Sequence, residues 1–130
     1  MVSITEIMDM IDWGMPLEIQ LEGRSLAKNV EAIIPFIQPL TLKYNKNVWE
    51  NCAIIIAEKS DEELKPYLVD LLDWLQDMNW PGAFHILDRL QLYSDNNSIH
   101  RAISICVEKA KGCNDEVWAC NLSLLLEKRK

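Results

Sequence analysis

Apolar residues recur at helical spacing along most of this chain. Ile4, Ile7, Met8 and Ile11 follow the i, i+3, i+4, i+7 pattern, which places four side chains on one face of an α-helix. Stripes with the same spacing follow within residues 26–37, 48–56, 67–78, 83–90, 99–110 and 117–125. The pattern predicts an all-α fold of about seven helices.

Capping signals divide these stripes into separate helices. Ser3 with Glu6, and Ser60 with Glu63, have the spacing of a capping box, in which each side chain accepts the other residue's backbone N–H. The other predicted boundaries are a start at Asn47, a kink or end at Pro35, a start at Pro81, an end at Gly112 and a start at Asn114 or Asp115.

Two short stretches do not follow the helical period. Residues 17–21 (LEIQL) and 40–44 (LTLKY) alternate apolar and polar side chains, as half-buried strands do. Each lies close to a proline, and a two-stranded ribbon is marginal by itself. We expect extended connectors at both places, with a small hairpin-like pairing as the alternative.

An internal repeat favours a specific helical arrangement. Residues 45–59 and 114–128 share Asn, Val, Trp, Glu and Lys at the same offsets, which predicts equivalent positions for Trp49 and Trp118 on the first turns of two helices. Stacked helix pairs of roughly 40 residues define a HEAT or armadillo-like α-solenoid of antiparallel pairs. An irregular helical bundle is the alternative.

Length and composition bound the type of protein. A chain of 130 residues with 49% hydrophobic content can form one core, so we expect residues 1–130 to be one domain. No run is long and apolar enough to cross a membrane, and the acidic N-terminal stretch does not resemble a signal peptide. We therefore expect a cytoplasmic protein whose Cys52, Cys106, Cys113 and Cys120 stay reduced and act as small hydrophobic residues.

The segment WLQDMNWP, residues 74–81, combines features of a corner between two helices. One helix is predicted to end at Gln76 or Asp77. The next is predicted to begin at Pro81, because proline suits a first helical position and disfavours helix in the residue before it. Asn79 suits the turn because its amide can bond nearby backbone groups, and Asp77 would place negative charge near the start of the next helix. We assign structural roles here to Trp74, Asp77, Asn79, Trp80, Pro81 and Gly82.

The charge is unevenly distributed along the chain. The net charge is −7, and residues 61–98 hold eight acidic and only two basic side chains. Such a surface repels nucleic acid and attracts basic proteins, although acids of this kind also form ordinary solvated helix faces. The candidate partner-binding residues are Glu62, Glu63, Asp70, Asp73 and Asp77.

A second function class centres on His85, Asp88 and His100. His85 and Asp88 are three residues apart and share a helix face, and His100 lies on the following helix. A metal site or a hydrolase would use such side chains, yet the sequence contains no HExxH motif and no glycine-rich phosphate loop. We therefore expect no catalytic residue, metal or cofactor, and keep this site as the alternative.

Residues 60–90 resemble a family of small bacterial proteins of unknown function whose hallmark is the segment LLEWLQDMNWP. That segment corresponds here to Leu71–Pro81, with Asp73 in place of Glu, and NDEVWACNLSLLL (residues 114–126) is similar to the family's closing helix. The resemblance implies a HEAT-like fold, no established catalytic residues and, for some relatives, a place beside toxin genes.

Taken with the charge distribution, this resemblance favours a non-enzymatic protein-binding module. An immunity protein would neutralise a cognate toxin through the acidic helical surface, because charge complementarity speeds association. The sequence predicts neither the partner's identity nor the oligomeric state.

Overall fold

The structure, a computed structural model, describes residues 2–129 and contains only helices and connecting turns within that range. The predicted all-α class is confirmed. The α-helices are α1 (Ile4–Met10), α2 (Leu17–Ala27), α3 (Gln38–Thr41), α4 (Trp49–Ala57), α5 (Asp61–Leu64), α6 (Leu68–Leu72), α7 (Ala83–Gln91), α8 (Asn96–Gly112) and α9 (Glu116–Lys128). Short 3₁₀ helices occupy Ile34–Phe36, Lys46–Val48, Lys65–Tyr67 and Asp73–Gln76.

The local start signals act as predicted at three helices. The Ser3 hydroxyl accepts the Glu6 N–H at the start of α1, and Ser60 with Glu63 forms a complete capping box at α5. Asp115 caps α9 by accepting the N–H of Trp118. Each signal uses residues three apart in the chain, so its partner lies within the sequence window that predicts it.

The prediction for residues 17–37 is wrong in both of its parts. Residues 17–21 form the first turns of α2, and the helix predicted over 26–37 is absent because α2 ends at Ala27. The five-residue alternation arose because Leu17 and Leu21 lie one helical turn apart on an exposed face. Gly23 lies inside α2, where a Cβ atom would be 2.8 Å from the Ile11 side chain. Its missing side chain lets α1 and α2 pack closely.

The second alternating stretch, residues 40–44, also forms no strand. Leu40 and Thr41 complete α3, and Leu42 ends that helix in the left-handed conformation with φ of 50°. Helix α4 also starts differently from the prediction, because Asn45 rather than Asn47 provides the cap and a 3₁₀ turn precedes Trp49.

Residues 61–76 form one continuous helical segment, which we call the acidic rod. It begins at α5, passes through a 3₁₀ turn at Pro66, continues as α6 and ends in the 3₁₀ turn Asp73–Gln76. Proline lacks the N–H that an α-helix needs, which explains the tighter turn at residue 66. The predicted end at Gln76 is confirmed, whereas the predicted start of the next helix at Pro81 is two residues early.

Several helices that are not consecutive in the chain pack against each other. Helix α2 packs against α4, α4 against α7, α7 against α9, and α6 against α8, while the consecutive pairs α1–α2 and α8–α9 also pack together. The core between them is aliphatic and aromatic, with Phe36, Leu71, Trp74 and Leu75 fully buried.

Three cationic side chains bind the C-terminal ends of successive helices in the row α2, α4, α7 and α9. Lys59 Nζ donates at 3.4 Å to the carbonyl of Ala27, the last residue of α2, and at 2.8 Å to the carbonyl of Val30, three residues later. Arg89 donates to the carbonyls of Ala57 at 3.1 Å and Lys59 at 2.9 Å, at the end of α4.

The third cation, Arg129, donates to the carbonyls of Leu90 at 2.7 Å and Gln91 at 3.3 Å, at the end of α7. In all three cases the positive charge meets the negative end of a helix dipole and satisfies carbonyls that lack helical partners. The ends of α2, α4 and α7 are therefore each bound by a cation from the next helix of the row or from the residues just after it.

Arg89 also ties the start of the acidic rod to α7. Its guanidinium donates to Asp61 Oδ1 at 2.6 Å, and the Ser94 N–H donates to Asp61 Oδ2 at 2.9 Å. Partial burial opposes ionisation of Asp61, but the hydrogen bonds from Ser94 and Arg89 outweigh it and hold the pKa of Asp61 below its ordinary value of 3.8.

This lowered pKa predicts an acid-dependent loss of stability. A carboxylate with a depressed folded-state pKa stabilises the fold above the unfolded-state pKa, and that contribution disappears as the pH falls through the folded-state pKa. The free energy of unfolding, measured by urea denaturation, should therefore fall below about pH 4. Asp61→Asn should flatten this fall, whereas the exposed Asp88→Asn should leave it unchanged. Equal slopes in both variants would contradict the assignment.

Gly82 permits the closest contact between α4 and α7. It has a φ of 89°, and a Cβ atom there would be 2.6 Å from Ala53 Cβ and 3.0 Å from the Trp49 carbonyl. We expect Gly82→Ala to lower the free energy of unfolding by roughly 2–4 kcal/mol, because it adds left-handed strain to overpacking. Gly112→Ala is the matched control, since nothing lies within 4 Å of its Cβ position. Urea denaturation of both variants tests this, and equal stabilities would refute it.

Candidate functional site

The corner between the acidic rod and α7 is built around tryptophan. Trp74 is fully buried, and its indole Nε1 donates to the Pro81 carbonyl at 3.0 Å, which closes the corner. Trp49 contacts Trp74 and Trp80 edge-to-face, with ring centroids 5.9 Å and 5.5 Å apart. Lys46 lies over the rings of Trp49 and Trp80. The corner is therefore bonded internally and packed onto α4.

Helix α9 supplies the polar contacts of the rod's last turn. Trp118 Nε1 donates to the Leu72 carbonyl at 3.1 Å, and Asn121 Nδ2 donates to the Leu75 carbonyl at 2.7 Å. These two carbonyls border the change from α6 to the 3₁₀ turn, where the regular i to i+4 bonding ends. One turn of α9 thus completes the hydrogen bonding of a segment that lies more than 40 residues earlier.

The polar residues of the corner have roles that differ in part from the prediction. Asp77, rather than Asn79, makes the local turn, because Asp77 Oδ1 accepts the backbone N–H of Asn79 at 2.8 Å. The Asn79 side chain is exposed. Pro81 lies in the turn, and α7 begins after Gly82, whose left-handed conformation takes the place of a side-chain cap.

The two tryptophans that match in the predicted repeat can be compared directly. Trp49 and Trp118 are both buried near the starts of their helices, as predicted. Their indoles nevertheless bond differently, because Trp49 Nε1 donates to the nearby Tyr44 carbonyl and Trp118 Nε1 to the distant Leu72. The lysines that match in the repeat are Lys59 and Lys128. Lys59 caps the end of α2, whereas Arg129, next to Lys128, caps the end of α7.

The five acidic candidates lie along the acidic rod and its end rather than in one cluster. Glu62 and Glu63 are exposed in the first turn of α5, while Asp70, Asp73 and Asp77 are half-buried. At about 1.5 Å per residue, the two ends of this set are roughly 20 Å apart. Hydrogen bonds with the Ser60 backbone and hydroxyl hold the pKa of Glu63 below its usual value.

Asp73 is half-buried beside Lys109 of α8. Desolvation by burial raises its pKa, nearby Lys109 opposes that rise, and the negative charge of Asp70 adds to it.

The alternative site does not come together in the described residues. His85 is exposed and its Nε2 lies 3.7 Å from Glu50 Oε1 on α4, and His100 is exposed on α8, where it borders a groove with Val107 and Leu126. Within residues 2–129, no three His, Cys, Asp or Glu side chains are grouped so as to hold a metal ion.

The cysteines divide into two kinds. Cys52 and Cys106 are buried, and burial raises the pKa of the Cys106 thiol to about 12, which keeps it protonated. Cys113 and Cys120 are exposed, so their interpretation as buried hydrophobic residues is wrong. All four are free thiols.

Sequence reasoning missed the caps formed by Lys59, Arg89 and Arg129. The available signal was a basic residue at or near a helix end, but the sequence does not say which carbonyl each side chain reaches. It also missed four exposed apolar residues between the end of α1 and the middle of α2: Trp13, Met15, Leu17 and Leu21.

A family comparison covers the part of the chain that contains this corner. Residues 50–129 match the model of a domain of unknown function, DUF5071. The chain belongs to this family. No curated protein and no solved structure matches the chain.

The DUF5071 region begins at the first turn of α4 and includes the acidic rod, the corner and α7–α9. Helices α1–α3 lie outside it. In the described part of the chain, no helix has the length and apolar composition needed to span a bilayer.

The bonds between α9 and the rod predict a stability effect. We expect Trp118→Phe to lower the free energy of unfolding by about 1–3 kcal/mol, because it leaves the buried Leu72 carbonyl without its donor. Trp13→Phe, which changes an exposed indole on a loop, is the matched control and should have little effect. Urea denaturation followed by circular dichroism measures both, and a Trp118→Phe variant as stable as Trp13→Phe would refute the role.

Proposed function

We propose that this protein is a non-enzymatic binding module whose acidic rod forms part of the contact with a basic protein partner. The observation that carries the proposal is the placement of exposed and half-buried acids along one helical segment. Glu62 and Glu63 are exposed at its start, and Asp70 is half-buried on α6. Charges in this arrangement increase the association rate of a positively charged partner and repel nucleic acid.

A shallow groove between α6 and α8 supplies apolar surface for the same contact. It has a volume of about 200 Å³, and its lining includes the apolar Pro66, Val69 and Ile105 and the basic Lys65 and Arg101. Interfaces are held mainly by buried apolar anchors, while the charged rim sets the association rate and specificity. A side chain of the partner inserted between α6 and α8 would fill this role.

The arrangement of helices supports a scaffold suited to binding. We propose that α2, α4, α7 and α9 form one layer and α6 and α8 another, as in a HEAT or armadillo-like solenoid of antiparallel pairs. Contacts between alternate helices and the three cationic caps along one row favour this arrangement. In such folds each repeat packs only on its neighbours, which leaves extended surfaces for partners.

The resemblance of Leu71–Pro81 to bacterial proteins found beside toxin genes makes the partner class more specific. We propose that the protein acts as an immunity protein in the cytoplasm, where its acidic surface covers a basic region of a cognate toxin. Tight neutralisation of this kind requires the partner to remain bound, which apolar anchoring in the groove would provide.

Neutralising the acids tests this function. The triple variant Asp70→Asn, Asp73→Asn, Asp77→Asn should bind a co-expressed product of a neighbouring gene more weakly, by about tenfold, and with a smaller salt dependence. Asn at position 77 keeps the oxygen that accepts the Asn79 N–H. Surface plasmon resonance at low and high salt provides the measurement.

A variant with the same change in charge serves as the control. Glu108→Gln, Glu116→Gln, Glu127→Gln removes three exposed acids from α8 and α9. If both triple variants bind equally well, the acidic rod is not the contact surface.

A further inference from the structure

The loop after α1 and the first turns of α2 carry four large apolar side chains that are partly exposed. They are Trp13, Met15, Leu17 and Leu21, which we call the α1–α2 patch. Their exposed fractions are 46%, 39%, 68% and 45%, all high for large apolar side chains. Contiguous apolar surface of this kind marks an interaction site more often than scattered exposed residues do.

Hydrogen bonds hold the patch in a fixed shape. The Met15 N–H donates to the Asp12 carbonyl at 2.9 Å, the Trp13 N–H donates to the Asn47 carbonyl at 3.1 Å, and Gln20 Nε2 donates to the Met15 carbonyl at 2.7 Å. The loop is thereby attached to both α2 and the start of α4. A rigid surface loses little conformational freedom on binding, which favours affinity.

The base of the patch is also anchored in the core. Asn51 on α4 is buried, and its Nδ2 donates to the Ile11 carbonyl at 2.7 Å and to Gln20 Oε1 at 3.0 Å. Arg24 donates to Asn51 Oδ1 at 3.4 Å from the next turn of α2. One amide thus joins the end of α1, the middle of α2 and α4 directly beneath the exposed residues.

The charges around the patch select the kind of partner. Residues 2–24 contain five acidic side chains, Glu6, Asp9, Asp12, Glu18 and Glu22, and one basic side chain, Arg24, which donates to Asn51. Glu18 and Glu22 are exposed on α2 next to Leu17 and Leu21. An apolar centre with an acidic rim complements an apolar stripe flanked by basic residues.

We propose that the α1–α2 patch binds a basic amphipathic helix of a partner protein. Leu17 and Leu21 lie one turn apart, so a helix laid along α2 can pack apolar side chains against both and direct lysine or arginine toward Glu18 and Glu22. Anionic lipid is disfavoured, because surfaces that bind it carry basic residues. A second copy of the same patch is disfavoured, because acids would then face acids. The inference rests on the proposed protein-binding function and assigns it a second surface.

Defined peptides test the inference with the full-length protein. One synthetic helical peptide carries leucines one turn apart, flanked by lysines, and the matched peptide has glutamate in place of each lysine. We expect the lysine peptide to bind, measured by fluorescence anisotropy, and the glutamate peptide to bind at least about tenfold more weakly. Equal binding of the two peptides, or no binding of the lysine peptide, would overturn the inference.

Two double variants locate the site. Leu17→Ser with Leu21→Ser should weaken binding of the lysine peptide by about tenfold or more. Leu92→Ser with Val117→Ser removes apolar residues that are 78% and 63% exposed outside the patch and should leave binding unchanged. Circular dichroism and urea midpoints check that both variants are folded. If both lose binding equally, the peptide does not bind at the patch.

Further measurements separate this inference from the proposed function of the acidic rod, and from binding of anionic lipid or of a second copy of the chain. Peptide binding that is lost in the Asp70, Asp73, Asp77 triple variant but kept in the Leu17, Leu21 variant would overturn this inference and leave the acidic rod as the site. The reverse result supports the patch. Binding to phosphatidylglycerol vesicles that depends on Leu17 and Leu21, or self-association that disappears in their double variant, would also overturn it.

Discussion

The contact between Gly82 and α4 determines where the chain continues after the acidic rod. At this position the backbone is left-handed and lies directly against Ala53 and the Trp49 carbonyl, so only a residue without a Cβ fits without strain. Helix α7 is thereby placed on α4, Trp80 on Trp49, and the Trp74 indole beneath the Pro81 carbonyl. Helix α9, which packs on α7, then reaches the carbonyls of Leu72 and Leu75. These later contacts all require the corner to close.

Part of the positive charge of this acidic chain stabilises the C-terminal ends of helices. Lys59, Arg89 and Arg129 account for three of the thirteen basic residues, and their charged groups bond to carbonyls at or beyond helix ends instead of extending into solvent. The charged side chains that remain in solvent are therefore more acidic than the net charge of −7 suggests. Stabilised helix ends and a negative surface follow from the same distribution of charge.

Sequence reasoning succeeded where the deciding contacts are local. The Ser60–Glu63 box, the Asp115 cap and the end of the rod near Gln76 depend on neighbours within a few residues, and all three are observed. The alternation at residues 17–21 predicted an extended connector, but these residues form the first turns of α2. A pattern of five residues cannot distinguish a strand from an exposed helix face with leucines one turn apart. The half-buried state of Asp73 and the partners of Arg89 depend on segments far along the chain, so no local pattern could reveal them.

The family model covers the acidic rod and the corner but not the N-terminal helices. The corner residues Trp74, Trp80 and Gly82 make internal contacts that hold the rod and α7 against α4. Exposed acids on the rod belong to the matched region, whereas the α1–α2 patch lies outside residues 50–129. Asn51, just inside the matched region, joins the two parts through its bonds to Ile11 and Gln20. Because one buried amide bonds to both parts, the position of the α1–α2 patch relative to α4 depends on Asn51.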